Sequence, residues 1–236
     1  MNARNPYESG TLLAMPQGSM HPGGLRLTAR AARLAGLREG MSVADIGCGT
    51  GATVEFLSGA FKVKAVGFEL SRKLVDLGLE RRPGLDLRRW DGATLPFEEA
   101  SLDAVFSECM LSVMGGIGGV LTRCREALKP DGALILSDIY ARKHPAPGLC
   151  AGHPGTESEI QGVLERAGFR IVLSEDHTPA LRTFVAMLFD QSGGLDRIGP
   201  LFGAGRCRRG VQPRLSDLGY ILIIGRKEKR RKDQDE

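Results

Sequence analysis

The chain has 236 residues, 42% of them hydrophobic and 25% charged, with a formal net charge of +4. Such a length allows one large α/β domain with insertions, or at most two small domains, and the composition is that of an ordinary globular protein. No run approaches the roughly 18 apolar residues needed to cross a bilayer, and Met1 to Gly10, with Glu8 and little apolar content, makes no secretory signal.

Residues 1–24 form an irregular arm rich in Gly, Pro and polar residues, ending in the turn signal His21-Pro22-Gly23-Gly24. Leu25 to Leu37 spaces Leu27, Ala31, Leu34 and Leu37 along one helical face, with Gly40 closing the segment. Met41 to Ile46 reads as the first strand, and an apolar helical pattern restarts at Thr53 to Leu57. Lys62 to Phe68 is a second strand ended by Glu69, and Ser71 caps a helix that runs to Arg81 and stops at Pro83-Gly84. Leu85 to Trp90 and Ser101 to Ser107 are the third and fourth strands, and Ile117 to Leu128 is helical. Lys129-Pro130-Asp131-Gly132 reads as a turn, and Ala133 to Ser137 as a fifth, almost wholly apolar strand. Ala141 to Gly155 reads as a loop. Thr156 to Ala167 is a helix with Thr156 and Glu159 as its capping box. Phe169 to Ser174 is a sixth strand, Ala180 to Phe189 a helix, and Tyr220 to Gly225 a final strand. The positive excess sits in Arg226 to Lys232, and residues 227–236 make a mixed charged tail without the interleaved aromatics of a nucleic-acid site. The apolar strands imply burial on both faces, and their alternation with helices predicts a doubly wound three-layer α/β sandwich.

Cys48, Cys109, Cys124, Cys150 and Cys207 are odd in number and contain no C-x-x-C pair, which indicates neither a zinc knuckle nor a disulfide framework. No metal site is expected, and a reducing cytoplasm is the simplest compartment.

The first strand ends on Asp45 and breaks into Gly47, Gly49 and Gly51 before the next helix, the setting in which a Gly-rich turn binds a nucleotide-like ligand. Gly47-x-Gly49-x-x-Ala52 with Glu69 beyond it fits a dinucleotide fingerprint, but Asp45 would repel a pyrophosphate. For a cationic ligand the sign reverses. S-adenosylmethionine (SAM) carries a sulfonium and an ammonium group and no phosphate.

Asp45-Ile-Gly-Cys-Gly-Thr-Gly51, Glu69, Asp91-Gly92-Ala93 followed by Leu95-Pro96-Phe97, Leu102-Asp103 and Lys129-Pro130-Asp131-Gly132 occur in the order seen in one family. Over these blocks, about two-fifths of the sequence, the chain resembles the class I SAM-dependent methyltransferases, closest to the small-molecule, quinone-biosynthesis-like branch. The resemblance implies a seven-stranded, mostly parallel Rossmann-like sheet with the last strand antiparallel, in a domain spanning 25–226 with a cap insertion at about 176–218. It implies SAM as cofactor, S-adenosylhomocysteine (SAH) as product and a small-molecule acceptor. Gly47, Cys48 and Gly49 would lie under the methionine part, Asp45 would hold the ammonium, and Glu69 would accept from the ribose hydroxyls. Leu70 would pack on the adenine, Asp91 would accept from its amino group with Gly92 and Ala93 nearby, and Ser107 and Glu108 would face the methyl group. An acid after a strand is also commonly a cap or turn residue, which is the plainer reading of each of Asp45, Glu69 and Asp91.

Methyl transfer needs alignment and exclusion of water more than a fixed base. Acceptor-site candidates are the groups that overhang the sheet: His21, Glu108 and Cys109, then Tyr140, His144, Cys150 and His153, with Leu181 to Phe189 and Arg206 to Arg214 as cover. Glu108, Cys109 and His21 are the catalytic candidates. Convergence of Cys109, Cys150 and Cys207 on a soft acceptor is a further possibility, as is a nicotinamide oxidoreductase or a SAM-binding module without turnover.

Overall fold

The computed structural model describes residues 6–8, 10–13, 18–92, 94–111, 118–143, 155–192 and 214–228. The apolar runs become strands β1 (Ser42–Ile46), β2 (Lys64–Glu69), β3 (Leu87–Arg89), β4 (Leu102–Glu108), β5 (Leu128–Ala141), β6 (Phe169–Asp176) and β7 (Leu218–Lys227). They form one sheet in the order β3-β2-β1-β4-β5-β7-β6. β1 to β5 pair in parallel, and β7 runs antiparallel to both β5 and β6.

The helices are α1 (Gly10–Leu13), α2 (Gly24–Leu34), α3 (Ala52–Ala60), α4 (Arg72–Arg81), α5 (Gly118–Ala127), α6 (Glu157–Arg166) and α7 (Thr178–Ser192). Alternate residues of each central strand feed two separate cores. Ala44, Val105 and Leu134 pack with Leu121 of α5 and Leu164 of α6, while Val43, Phe106 and Ile135 pack with Ala31 of α2, Leu57 of α3 and Leu181 of α7. This is the three-layer arrangement expected of strands with no polar face. Each fully buried side chain of this size contributes about 1.5–3 kcal/mol.

Local signals act where they stand in the sequence. Ser71 Oγ accepts from the Leu74 amide at the start of α4, and Thr156 with Glu159 forms the capping box of α6. Asp103 reaches across the amino edge of the sheet, accepting from the Ser42 amide and from Lys129 Nζ, each at 2.8 Å. Trp90 donates to the Thr94 carbonyl at 2.7 Å, and Phe97 meets Phe68 edge-on at 5.0 Å, so the Leu95-Pro96-Phe97 block anchors the chain after β3.

Four expectations are corrected. The turn at Lys129 to Gly132 lies inside a longer β5: Leu102 pairs with Leu128 and Ala104 with Ala133, so the intervening residues bulge out with Asp131 at φ 63°. Leu34 is 43% exposed, because α2 turns Thr28, Ala31, Ala32 and Ala35 inward. The arm carries two helical turns, Pro6–Glu8 and α1, and Leu12 is 1% exposed, so it is docked. Lys227 belongs to β7, where its Nζ donates to the Leu128 carbonyl at 2.5 Å, rather than to the charged tail. No described helix is long and apolar enough to cross a membrane.

Candidate functional site

Order reverses in the sheet at β1 and β4, the switch point at which open α/β sheets bind ligands beyond the strands' carboxyl ends. The glycine turn lies there. Gly47, Gly49 and Gly51 have φ of 81°, 55° and 79°, a region that favours glycine, and the amides of Gly47 and Cys48 both donate to the Phe68 carbonyl. In this way β2 fixes the start of the turn. Its far side is pressed against α4, where a Cβ on Gly78 would stand 2.6 Å from the Thr50 carbonyl oxygen.

Three carboxylates gather round this turn. Asp45 is 3% exposed and no described group donates a hydrogen bond to it; burial, then Glu108, then Glu69, pushes it well above the usual carboxylate range. Glu69, 8% exposed, accepts from the Gly49 amide at 3.0 Å and the Ser71 amide at 2.8 Å. Burial raises its pKa and those backbone donors oppose the rise. Glu108 accepts from Thr28 of α2 at 2.9 Å and Thr53 of α3 at 2.6 Å, and its Oε2 is 3.4 Å from His21 Nε2. The other ring nitrogen of His21, Nδ1, lies 3.2 Å from the Pro22 carbonyl oxygen.

Two serine hydroxyls, of Ser107 on β4 and Ser19 on the arm, are buried without a hydrogen-bond partner. Ser19 Oγ lies 3.6 Å from where a Cβ of Gly24 would be, beside the start of α2, whose cap residue Gly23 supplies no side-chain bond. Buried polar groups are nearly always paired, so each of these hydroxyls has a hydrogen bond to give. Met20 of the arm sits on Gly49, and Glu8 accepts from Ser71 Oγ at 2.7 Å. The arm thus lies across the turn and the β2 end.

Next to these acids is a small pocket between the arm, the sheet and α7. Cys109 (φ 56°) and Ile139 form its floor, Tyr7 and Leu12 its arm side, and Leu181 and Phe184 its α7 side. Cys109 Sγ is 3.3 Å from Tyr220 Oη, which donates to Ser137 Oγ at 2.9 Å. Burial pushes the Cys109 thiol and the Tyr7 hydroxyl well up, so both are neutral.

The structure therefore brings together Asp45, Gly47, Cys48, Gly49, Glu69, Ser107, Glu108, Cys109 and His21. Leu70 is at the rim, 43% exposed. Asp91 is exposed and accepts from the Thr94 amide and hydroxyl, the turn role weighed for it, two residues past the Glu69–Arg89 pair. Ala93, His144, Cys150, His153, Cys207 and Arg206 lie outside the described residues. Tyr140 is 8% exposed and lies over Gly219, within the sheet core. Sequence reasoning missed Thr28, Thr53 and Tyr7. Thr28 stands on the apolar face of α2 and Thr53 in the first turn after the glycines, and a polar residue in either place was the available signal.

Residues 44–136 match the profile of a methyltransferase domain. The chain is 28% identical over 174 residues to phosphoethanolamine N-methyltransferase 1 of Arabidopsis thaliana, covering 69% of this chain and 35% of that protein. It is 32% identical over 146 residues to the 27-O-demethylrifamycin SV methyltransferase of Amycolatopsis mediterranei, covering 59% of this chain and 51% of that one. Among solved structures, phosphoethanolamine N-methyltransferase 2 of Haemonchus contortus, in complex with SAM, superposes with a TM-score of 0.70 at 18% identity, over 89% of this chain and 54% of the other. The chain spans about a third of the length of the plant relatives. None of these three is a quinone-biosynthesis enzyme, and that branch is not carried further. Motifs, sheet order, domain profile and relatives agree: residues 44–136 carry a methyltransferase-domain profile, and the chain is similar in sequence to methyltransferases and in fold to SAM-binding ones.

Proposed function

We propose that the chain binds SAM over the carboxyl ends of β1, β2 and β4 and transfers its methyl group to a small-molecule acceptor, leaving SAH. One observation carries this reading: three buried carboxylates, Asp45, Glu69 and Glu108, surround a glycine turn. Burying that much negative charge is costly unless a cation shares the site. A ligand with ammonium and sulfonium groups meets the demand, whereas the pyrophosphate of a nicotinamide cofactor would add to the repulsion.

In this reading Asp45 holds the ammonium group, and Gly47, Cys48 and Gly49 admit the methionine chain. Each Glu69 oxygen keeps a lone pair for a ribose hydroxyl after its backbone bond. Leu70 lies under the adenine, Asp91 and Gly92 take its edge, and Ser19 and Ser107 gain the partners they lack. When bound, SAM supplies an activated methyl group. The protein contributes alignment and exclusion of water, through Tyr7, Leu12 and Met20 on one side and α7, within the 176–218 cap, on the other. Glu108 is a positioning residue, tying the arm through His21, α2 through Thr28 and α3 through Thr53. The buried free thiols Cys48, Cys109 and Cys124 favour a reducing compartment, the cytoplasm.

The test is calorimetric titration with SAM, SAH and NAD in parallel, on the parent chain and on Glu69→Ala and Asp91→Ala. Micromolar binding of SAM and SAH, weakened at least about tenfold in Glu69→Ala, is expected, since a buried hydrogen-bonding carboxylate is worth about 1.5–3 kcal/mol. Binding of NAD in place of SAM would sink the proposal. Binding of SAM without methyl transfer to any acceptor in a labelled-methyl screen would leave a binding module.

A further inference from the structure

The pocket beside the cofactor edge has a chemical character of its own. Met20 lines it and also rests on Gly49, so this side chain stands between the pocket and the turn; the unliganded space holds about one water, and an acceptor enters by displacing Met20. Its walls are Leu12, Ile139, Leu181 and Phe184, and its polar groups are the Tyr7 hydroxyl and the Cys109 thiol. No arginine or lysine lines it among the described residues. Leu12, Phe184 and Leu188 form one cluster with Tyr7 and Met20, so the arm and α7 close it as a continuous apolar wall.

The surrounding field is negative. Asp138 and Glu69 act on Tyr7, and Asp138 and Glu108 act on Cys109, in each case against loss of the proton. Asp138 is 0% exposed, accepting from the Leu111 amide at 2.6 Å and from its neighbour Ile139 at 2.7 Å. His21 is engaged with Glu108, its Nε2 3.4 Å from Oε2. An anionic acceptor entering here would lose its hydration, find no guanidinium or ammonium among the described lining residues to replace it, and approach three carboxylates.

Given the methyl-transfer reading, we infer that this pocket selects an uncharged, apolar acceptor and rejects phosphorylated or carboxylated ones. Specificity is then set by repulsion from below as much as by the apolar walls.

The experiment uses three probes that share one hydrocarbon: 2-naphthol, 2-naphthyl phosphate and 2-naphthoic acid. Each is titrated calorimetrically into the full chain at neutral pH, with and without SAH. We expect 2-naphthol to bind and the two anions to bind at least about tenfold more weakly, the usual scale of a buried like-charge penalty. Phe184→Ala is expected to weaken 2-naphthol about tenfold, the worth of one apolar side chain, with SAH affinity unchanged. Phe184→Leu, which keeps the cluster filled, is expected to fall between. Anion binding as tight as that of 2-naphthol would overturn the inference, and so would no binding of 2-naphthol or binding unmoved by both variants. Failure of SAH to bind while the probes follow the expected order would sink the cofactor reading and, with it, the acceptor role, and leave only the pocket's preference for neutral ligands.

Discussion

Asp45 lies 3% exposed beside Glu69 and Glu108, so the unliganded fold holds it toward its protonated form. Its folded pKa lies above the unfolded one. The stability contributed by the protonated form is therefore complete below the ordinary Asp range and is lost as pH rises through the raised folded value. Asn at this position never ionises. Asp45→Asn should unfold at a higher temperature than the parent, with a gap that widens from acid to alkaline pH. Recovery of about 1 kcal/mol would raise the midpoint by about 2–4 °C in a chain of this size. A gap that closes with rising pH would refute this account. SAM has the opposite effect. A cationic ligand favours the carboxylate, so binding releases protons and affinity rises with pH through the same range. Calorimetry in two buffers of different ionisation heat reads that release directly; Asp45→Asn should abolish most of it and lose at least about tenfold in affinity.

At the scale of elements, α4 is positioned by what its middle residue lacks. Gly78→Ala would normally gain helix stability of up to about 1 kcal/mol. Here the new methyl would meet the Thr50 carbonyl at 2.6 Å and Leu87 Cδ1 at 2.7 Å. Backbone cannot rotate away as a side chain can, so α4 must shift, at a cost of about 1–3 kcal/mol. Overpacking wins. Gly78→Ala should lower the unfolding midpoint and weaken SAM binding together, while Gly59→Ala in α3, with open space at its Cβ, should be neutral or slightly stabilising. Equal midpoints for the two variants would show that the helix is free to move. Elements of this kind were legible because their signals are local: Ser71 and Thr156 cap the helices they precede, and the glycines sit where β1 ends. β5 was misread because its turn signal is real, with Asp131 in the left-handed region, yet β4 pairs on either side and absorbs the turn as a bulge.

Across the whole molecule, what escaped the sequence is what contacts at long range decide. Thr28 and Glu108 are 80 positions apart, and Tyr220 and Ser137 are 83 apart, so no spacing rule joins them. The arm is the largest instance. Its composition reads as irregular, yet it buries Leu12 and half-buries Tyr7 against α7 and the sheet edge and leaves Ser19 Oγ unpaired beside α2. If the ligand supplies that partner, binding fastens the arm as well as filling the site. SAM at a hundred times its dissociation constant stabilises a fold by about 2.7 kcal/mol, a rise of roughly 5–11 °C in midpoint here. Proteolysis separates the arm from the global transition: SAM should slow cleavage in residues 1–24 under conditions where the sheet is already resistant. In Ser19→Ala the midpoint should still rise, because Asp45 and Glu69 remain, but protection of the arm should shrink. Full protection of the arm in that variant would mean that the hydroxyl is not part of the ligand's seat, and that Met20 on Gly49 alone is enough to hold the arm down.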